Sequence, residues 1–211
     1  MRLLAWNIRQ GGGSRLAGIM AAIARHDADV LILSEYRGGD SAERLRVALF
    51  AGGYRHVTKL LPPPQRTGVL IAARRRFVEL GSVCVRVEEP WRLVDAFALR
   101  NAGDALAIGD SNTCRAFVDE SGAIDATSRF MDSMDAIGFR DLWRHRYPDG
   151  REFSWYSHRG NGFRIDHAFL SASLAARAGV IRYSHEERLA GLSDHSMLLL
   201  DLPHRRVGAR S

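Results

Sequence analysis

The spacing of apolar positions predicts alternating strands and helices at the start of the chain. Residues 2–8 are mostly apolar and run into three glycines, as in a strand that ends in a turn. Residues 16–23 carry apolar side chains at helical spacing, and we expect Ser14 to cap this helix. Residues 30–33 form a continuous apolar run of strand length, and residues 41–51 repeat the helical period before two more glycines.

Strands predominate in the remainder of the chain. Four β-rich segments, separated by proline, arginine and acidic clusters, suggest an antiparallel meander over residues 54–59, 69–73, 77–87 and 92–99. One helix is expected at residues 128–137, and further strands are expected at residues 106–109, 165–170, 180–183 and 197–202. About nine or ten strands with a few helices indicate an α+β domain in which two packed sheets carry helices on the outside.

Length and composition favour one domain. The chain has 211 residues, of which 46% are hydrophobic, enough for one substantial core and short for two. We expect a single domain over residues 1–203 and a basic tail over residues 204–211. The start of the chain turns polar before it builds the apolar stretch of about 7–15 residues that a signal peptide requires, and no later run is long enough to span a membrane. These features predict a cytoplasmic protein without a transmembrane segment and imply no obligate protein partner.

The basic charge balance favours an anionic partner without identifying one. The net charge is +6 and the pI is about 10.0, which suits nucleic acid or an acidic membrane surface. A solvated basic face is an equal alternative. Lys59 is the one lysine among 30 basic residues, and such a preference for arginine can also follow from genome composition. Cys84 and Cys114 lack metal-ligand spacing and are expected to be packing residues.

Five short polar motifs lie at the ends or turns of the apolar runs. They are Trp6-Asn7, Ser34-Glu35, Gly109-Asp110-Ser111-Asn112, Arg164-Ile165-Asp166-His167 and Ser193-Asp194-His195. Because each motif follows or interrupts a predicted buried strand, a folded sheet can bring two amides, four carboxylates and a histidine together. Carboxylate and amide oxygens suit a hard cation such as Mg²⁺, so the motifs indicate metal-assisted cleavage of a phosphate ester.

The first three motifs offer metal ligands and a base. Glu35 is expected at a sheet end that a cation can reach, and Asn7 can add an amide oxygen or hold the carboxylate in place. In extended geometry Asp110 and Asn112 share a face, so that Asp110 can deprotonate water and Asn112 can donate to a phosphoryl oxygen. The alternative for this tetrapeptide is an Asx turn.

The last two motifs offer a histidine and its partner. His195 titrates near neutrality and needs an orienting group, which Asp166 can supply. Asp194 is then free to approach the metal side, and His167 is expected to point the other way as a packing residue. A capped turn is the alternative interpretation of Asp194 and His195.

In this order the motifs resemble the endonuclease/exonuclease/phosphatase superfamily, which includes deoxyribonuclease I-like nucleases and class II abasic-site endonucleases. The resemblance runs from Leu4 to about Leu202. It implies a four-layer αββα sandwich of two packed mixed sheets, with the active site at one end of the sheets and a divalent metal, Mg²⁺ or Mn²⁺. It assigns metal binding to Glu35, Asn7 and Asp194. It assigns catalysis to Asp110, Asn112, Asp166 and His195.

The sequence departs from the family pattern after Phe97. Family members hold a further strand with a Tyr or His near the phosphate, then a helix, where this chain has only residues 98–105. Such a deletion would remove one hydrogen-bond donor to the transition state, which commonly lowers the rate by about 10²–10³. It would also expose an edge of a sheet. Either His56, Tyr156 or His158 fills in, or the enzyme is weakened.

The segment 153–164 resembles the substrate loop of the nuclease branch. Trp155 can stack on a base, and Arg159 and Arg164 can meet phosphates, although Trp155 and Phe163 can instead pack under the loop. The favoured function is therefore a Mg²⁺-dependent phosphodiesterase or endonuclease that hydrolyses nucleic acid by in-line attack of water. The alternatives are a phosphatase or phosphodiesterase of a small molecule or lipid headgroup, and a catalytically impaired binding relative.

Overall fold

The computed structural model describes residues 1–79, 103–120 and 129–203. The predicted strand at 92–99, most of the strand at 77–87, Cys84, most of the interval after Phe97 and the tail at 204–211 lie outside these residues. Among the described residues, no helix has both the length and the apolar character needed to cross a membrane.

The described elements follow the predicted order closely. The strands are β1 (Arg2–Asn7), β2 (Val30–Arg37), β3 (His56–Val57), β4 (Thr67–Ala73), β5 (Leu106–Asp110), β6 (Phe139–Asp141), β7 (Trp155–Tyr156), β8 (Gly162–Phe163), β9 (Asp166–Ser171), β10 (Ile181–Ser184) and β11 (Met197–Asp201). The helices are α1 (Leu16–His26), α2 (Asp40–Ala51), α3 (Arg129–Ala136), α4 (Leu142–Arg146), α5 (Ala172–Ala175) and α6 (Glu186–Leu189), with a 3-10 turn at Gly13–Arg15.

Two sheets stack face to face. The larger has the order β10-β11-β1-β2-β4-β3, in which β1 and β2 are parallel and the other neighbours are antiparallel. The smaller has the order β5-β9-β6 and is antiparallel, and β7 and β8 form a separate hairpin. Strand β1 lies in the middle of the larger sheet, so the residues at its end are central to the molecule.

The alternation of side chains across β1 explains the layers. Leu4 and Trp6 belong to a core with α1 and α2, whereas Leu3 and Ala5 belong to a core shared with the smaller sheet. Both faces of β1 are therefore buried, which is why its sequence is a continuous apolar run. The far face of the smaller sheet packs on α3, where Phe169 meets two buried methionines. The order helix, sheet, sheet, helix confirms the expected αββα sandwich.

Two local expectations are wrong. Ser14 does not cap α1, because it lies inside the 3-10 turn and α1 begins at Leu16 with no side-chain bond at its N-cap. Strand β2 does not end before Glu35 but continues to Arg37 through a register shift between Leu33 and Tyr36.

Candidate active site

The five motifs meet at one end of the two sheets. Asn7 ends β1, Glu35 lies at the irregularity in β2, and Asp110 ends β5. Asp166 begins β9 directly opposite Asp110, and His195 precedes β11 by two residues. The expected convergence of these side chains is therefore present in the structure.

Asn7 is the hub of the cluster. Its buried side-chain Nδ2 donates to Glu35 Oε1 at 3.0 Å and to Asp110 Oδ2 at 3.0 Å. Its Oδ1 accepts from the main-chain N–H of Arg9 at 2.9 Å. Because the amide oxygen is turned to the backbone, this arrangement fits the predicted holding of the carboxylates better than the predicted metal contact.

Glu35 reaches the cluster through a bulge. Its φ of 53° is in the left-handed region, within the register shift that interrupts the pairing of β2 with β4. A bulge turns a side chain out of the normal alternation, and such backbone strain is common at functional sites. The second oxygen, Oε2, accepts from the main-chain N–H of Gln10 at 2.9 Å. One carboxylate thus joins β2 to the loop after β1.

Asp166 and His195 form the expected pair. His195 Nδ1 lies 2.9 Å from Asp166 Oδ2, and His195 Nε2 lies 3.9 Å from Asp110 Oδ2. Both members are buried. The backbone around them is fixed as well, since Tyr183 Oη donates to Asp166 O at 2.5 Å and Trp6 Nε1 donates to His195 O at 3.0 Å.

Burial and neighbouring charge shift two pKa values toward catalytic use. Burial, reinforced by the charge of Asp166, raises the pKa of Asp110 to about 6. Burial alone would lower the pKa of His195, but Asp166, Asp110 and Asp194 together outweigh it and raise that pKa to about 9. Near neutral pH His195 is therefore a cation that can donate to a phosphoryl oxygen, and Asp110 is a carboxylate whose pKa suits a general base.

The donor set fits a divalent cation. One oxygen each of Asp110 and Asp166 and one nitrogen of His195 lie within 4.8 Å of one another, and Glu35 joins this group through Asn7. While His195 is protonated, the three carboxylates are the available ligands. Within the described parts of the chain, no arginine or lysine nitrogen lies within 4 Å of these carboxylates. An oxygen-rich cluster with excess negative charge is what hard cations such as Mg²⁺ prefer.

The loop that carries Asp194 is tied to the end of β1. Ser193 Oγ donates to Asn7 O at 2.6 Å and accepts from the main-chain N–H of His195 at 3.2 Å. Asp194 itself is exposed, and its charge contributes to the raised pKa of His195. Its role as a metal ligand stays a prediction.

Asn112 adopts the turn that was the alternative to extended geometry. Strand β5 ends at Asp110, Asn112 has a φ of 49°, and its main-chain N–H donates to Asp110 Oδ1 at 2.9 Å. The expectation of a shared extended face is therefore wrong, because the Asp110 carboxylate closes an Asx turn. The Asn112 side chain is exposed, and its contact with a phosphate stays a prediction.

The predicted phosphate contact of Arg164 is wrong. Its side chain is fully buried and bonds to Asp119 and Asp141, so it has no surface to offer a substrate. Arg159 is exposed, and its contact with substrate stays a prediction. His167 points away from the catalytic cluster, as expected, and its Nε2 lies 3.0 Å from Thr113 O.

Trp155 packs under the loop, which is one of the two predicted alternatives, and its stacking on a base stays a prediction. Its ring packs against Phe163, with centroids 5.6 Å apart, and its other neighbour is the His195 ring at 6.5 Å. It is half-buried and therefore still offers a face beside the histidine. No contact described for His56, Tyr156 or His158 brings these candidate substitutes to the cluster; Tyr156 instead lies under the guanidinium of Arg188, at 4.5 Å.

An arginine pocket next to Glu35 was not predicted. Its volume is about 490 Å³, and its lining is Arg9, Gln10, Gly12, Gly13, Ser14, Arg15 and Arg37. Five successive residues, 9–13, have positive φ, which turns this loop tightly around the pocket. In the described residues none of the three arginines pairs with a carboxylate within 4 Å, although Arg15 donates to main-chain carbonyls and is stabilised by the more distant charges of Asp194 and Glu35. The glycine run at 11–13 was the available signal, but Arg37 is distant in sequence.

Comparisons with known proteins identify a family and similar folds. The model of the endonuclease/exonuclease/phosphatase family matches residues 4–195. The fold is similar to a 3′ phosphatase NExo variant from Neisseria bound to product DNA hairpin, with a TM-score of 0.80, 20% identity and coverage of 96% of this chain and 99% of that one. It is also similar to an AP endonuclease from Archaeoglobus fulgidus, with a TM-score of 0.80, 18% identity and the same coverage of 96% and 99%. No protein of curated function matches the sequence.

Proposed function

Since the chain belongs to the endonuclease/exonuclease/phosphatase family of phosphoester-hydrolysing enzymes, we propose that it is a Mg²⁺-dependent phosphodiesterase that hydrolyses nucleic acid. The observation that carries the proposal is the convergence of Glu35, Asp110 and the Asp166–His195 pair on one amide, Asn7. The cluster supplies a cation site, a base and a proton donor within one buried end of the sheets.

The residues divide the work by their charge and burial. Glu35, with Asp194, would hold the cation, which when bound supplies Lewis-acid stabilisation of the phosphate. Asn7 would hold the Glu35 and Asp110 carboxylates in place. Asp110, with a pKa raised to about 6, accepts a proton from the attacking water. His195, cationic at neutral pH, donates to a phosphoryl oxygen as negative charge develops. The Asn112 side-chain amide would donate a second hydrogen bond to a phosphoryl oxygen.

The arginine pocket supports an anionic polymer as the substrate. Arg9, Arg15 and Arg37 offer positive charge beside Glu35 with no carboxylate within 4 Å, and arginine forks match the geometry of phosphate groups. Trp155 adds a half-buried aromatic face next to His195, suited to stacking on a base. The two similar structures are, by their own descriptions, a phosphatase bound to DNA and an AP endonuclease, which agrees with this choice. The cytoplasmic location expected from the sequence stays a prediction.

The test is a panel of phosphoesters assayed with Mg²⁺, with Mn²⁺ and with a chelator. It includes abasic, single-stranded, duplex and 3′-phosphorylated oligonucleotides and a chromogenic phosphodiester. We expect metal-dependent hydrolysis of at least one oligonucleotide that Glu35→Gln and Asp110→Asn abolish, whereas Glu43→Gln, an exposed acid on α2, leaves it unchanged. Oligonucleotide cleavage no greater than that of Glu35→Gln would refute the proposal. Turnover of the chromogenic ester alone would redirect it to a small phosphoester.

A further inference from the structure

Arg164 is a buried arginine whose donors are all occupied. Its Nε and Nη2 donate to Asp119 Oδ1 at 2.9 and 2.8 Å. Its Nη1 and Nη2 donate to Asp141 Oδ1 at 3.1 Å and Oδ2 at 2.6 Å, and Nη1 also lies 3.0 Å from His167 Nδ1. A guanidinium has five N–H groups, so each has an acceptor and none remains for a ligand.

Arg164 and its two carboxylate partners come from three different segments. Asp119 ends the loop that follows Asn112, and its carbonyl also accepts from the Arg164 main-chain N–H at 2.7 Å. Asp141 is the N-cap of α4, where its Oδ1 accepts from the main chain of the third following residue at 3.3 Å. Arg164 itself lies two residues before Asp166. The side chain therefore joins the loop after β5 and the start of α4 to the strand that carries a catalytic group.

His167 provides a second tie to the same loop. Arginine can only donate, so His167 Nδ1 accepts from Arg164 and the N–H at Nε2 donates to Thr113 O, 3.0 Å away. Thr113 directly follows Asn112. Closer to the site, the main-chain N–H of Ser111 donates to Ile165 O at 2.9 Å. Both ends of the loop from 111 to 119 are thus fastened to residues that flank Asp166.

Stability alone does not account for this cluster. Arg164, Asp119 and Asp141 are all nearly or wholly inaccessible to water, and the cost of removing such charges from water commonly equals or exceeds their attraction. Apolar side chains of the same volume would stabilise the fold equally well. The charged network adds a fixed relative position of the three segments, because its five hydrogen bonds can all form in only one placement.

We propose that Arg164 is a positioning residue that holds the Asn112 loop in register with the strand beginning at Asp166. The inference rests on the proposed function, since it takes Asn112 and the Asp166–His195 pair to act on one phosphate. Arg164 sets the separation of these groups without touching the substrate. Its loss should therefore lower turnover while substrate binding through the arginine pocket persists.

Two variants separate positioning from stability. Arg164→Lys keeps the charge but loses the fork. The triple variant Arg164→Met, Asp119→Asn, Asp141→Asn removes the three fully buried charges together and keeps amide oxygens that can accept from Arg115 and Arg144, which should preserve folding. For both we expect kcat to fall by about 10²-fold, the loss typical of a displacement of about 1 Å, with KM changed less than about threefold. Tyr54→Phe is the control, because it removes a buried hydrogen bond to Ala28 O far from the site.

Assays are run well below the melting temperature of every variant. A triple variant that folds and turns over like the parent would overturn the inference. It would show that uncharged side chains can replace the network without loss of activity. A persistent kcat defect at unchanged KM in the folded triple variant supports it, and so does a defect in Arg164→Lys that exceeds that of Tyr54→Phe.

Amide hydrogen exchange gives a readout that does not depend on turnover. The amides of residues 111–119 should exchange faster in Arg164→Lys than in the parent, and Tyr54→Phe should leave them unchanged. Unchanged exchange in Arg164→Lys would contradict the inference. If the parent hydrolyses none of the phosphoesters, the proposed function fails, and the exchange result alone decides whether Arg164 holds the loop.

Discussion

Replacement of Asp166 by Asn tests the electrostatic design of the site directly. The change keeps the size of the side chain and removes the charge that lies 2.9 Å from His195 Nδ1. In the metal-free parent, Asp166 is the largest of the influences that raise the pKa of His195 against the effect of burial. Without it, burial should dominate, and the pKa of His195 should fall back toward its ordinary value or below it.

The magnitude follows from the size of the shift. A rise from 6.5 to about 9, at about 1.4 kcal/mol per pKa unit, corresponds to about 3 kcal/mol of preference for the cation, shared among three carboxylates. We assign about half to Asp166, so Asp166→Asn should destabilise the fold by about 1–2 kcal/mol at mildly acid pH. Because the folded pKa is the higher one, this contribution is full below pH 6.5 and is lost as the pH rises through about 9.

Two measurements check this reasoning. Nitrogen NMR of the imidazole, titrated from acid to alkaline pH without metal, gives the pKa of His195 in parent and variant. Urea unfolding at several pH values gives the difference in the free energy of unfolding, with Asp201→Asn as a control because Asp201 pairs with Arg2 at a half-exposed site. A His195 in the parent that titrates at its ordinary value would refute the argument. So would a destabilisation by Asp166→Asn that grows above pH 9.

Three further predictions concern the metal, the arginine pocket and acid stability. Mg²⁺ should raise the melting temperature of the parent but not of Glu35→Gln; an equal rise in both, measured by calorimetry, would remove Glu35 from the metal site. The double variant Arg9→Gln, Arg37→Gln should raise KM for an oligonucleotide about tenfold and reduce the slope of log KM against log salt by about one to two, and an unchanged slope would contradict a phosphate contact. Burial would raise the pKa of Asp141, but the Arg164 guanidinium beside it acts in the opposite direction, and that pKa lies well below its usual range. Asp141→Asn should therefore cost about 3 kcal/mol or more at pH 7, and the difference should close only as the pH falls below the usual range of a carboxyl; a constant difference in acid would refute this.

The fold was predictable where both faces of a strand are buried. Strands β1, β2 and β11 are continuous apolar runs because each packs on helices on one side and on the smaller sheet on the other. The short strands β6, β7 and β8 gave no comparable signal, since two or three residues cannot establish a period. The Ser14 cap was misassigned because the glycines before it allowed an extra 3-10 turn.

The site was predictable as a set of groups but not as a set of contacts. The Asp166–His195 pair followed from chemistry, because a histidine requires an orienting acceptor. Arg164 was assigned to the substrate because nothing in its neighbourhood in the sequence reveals partners 45 and 23 residues away. The Asx turn at Asn112 was one of two open alternatives, and the choice depended on where β5 ends. The pocket arginines come from two segments that only the fold brings together.

The pairing of β1 with β11 has a consequence for how activity appears during synthesis. Arg2 pairs with Asp201, so the central strand of the larger sheet gains its second neighbour only from β11, the last of the described strands. His195 arrives with that same strand. On the ribosome, the early segments can form the parallel β1–β2 pair, but the emerging chain carries carboxylates without their histidine and with one side of β1 open. Closure of the sheet and completion of the hydrolytic machinery are therefore a single late event, and a nascent or truncated chain has neither.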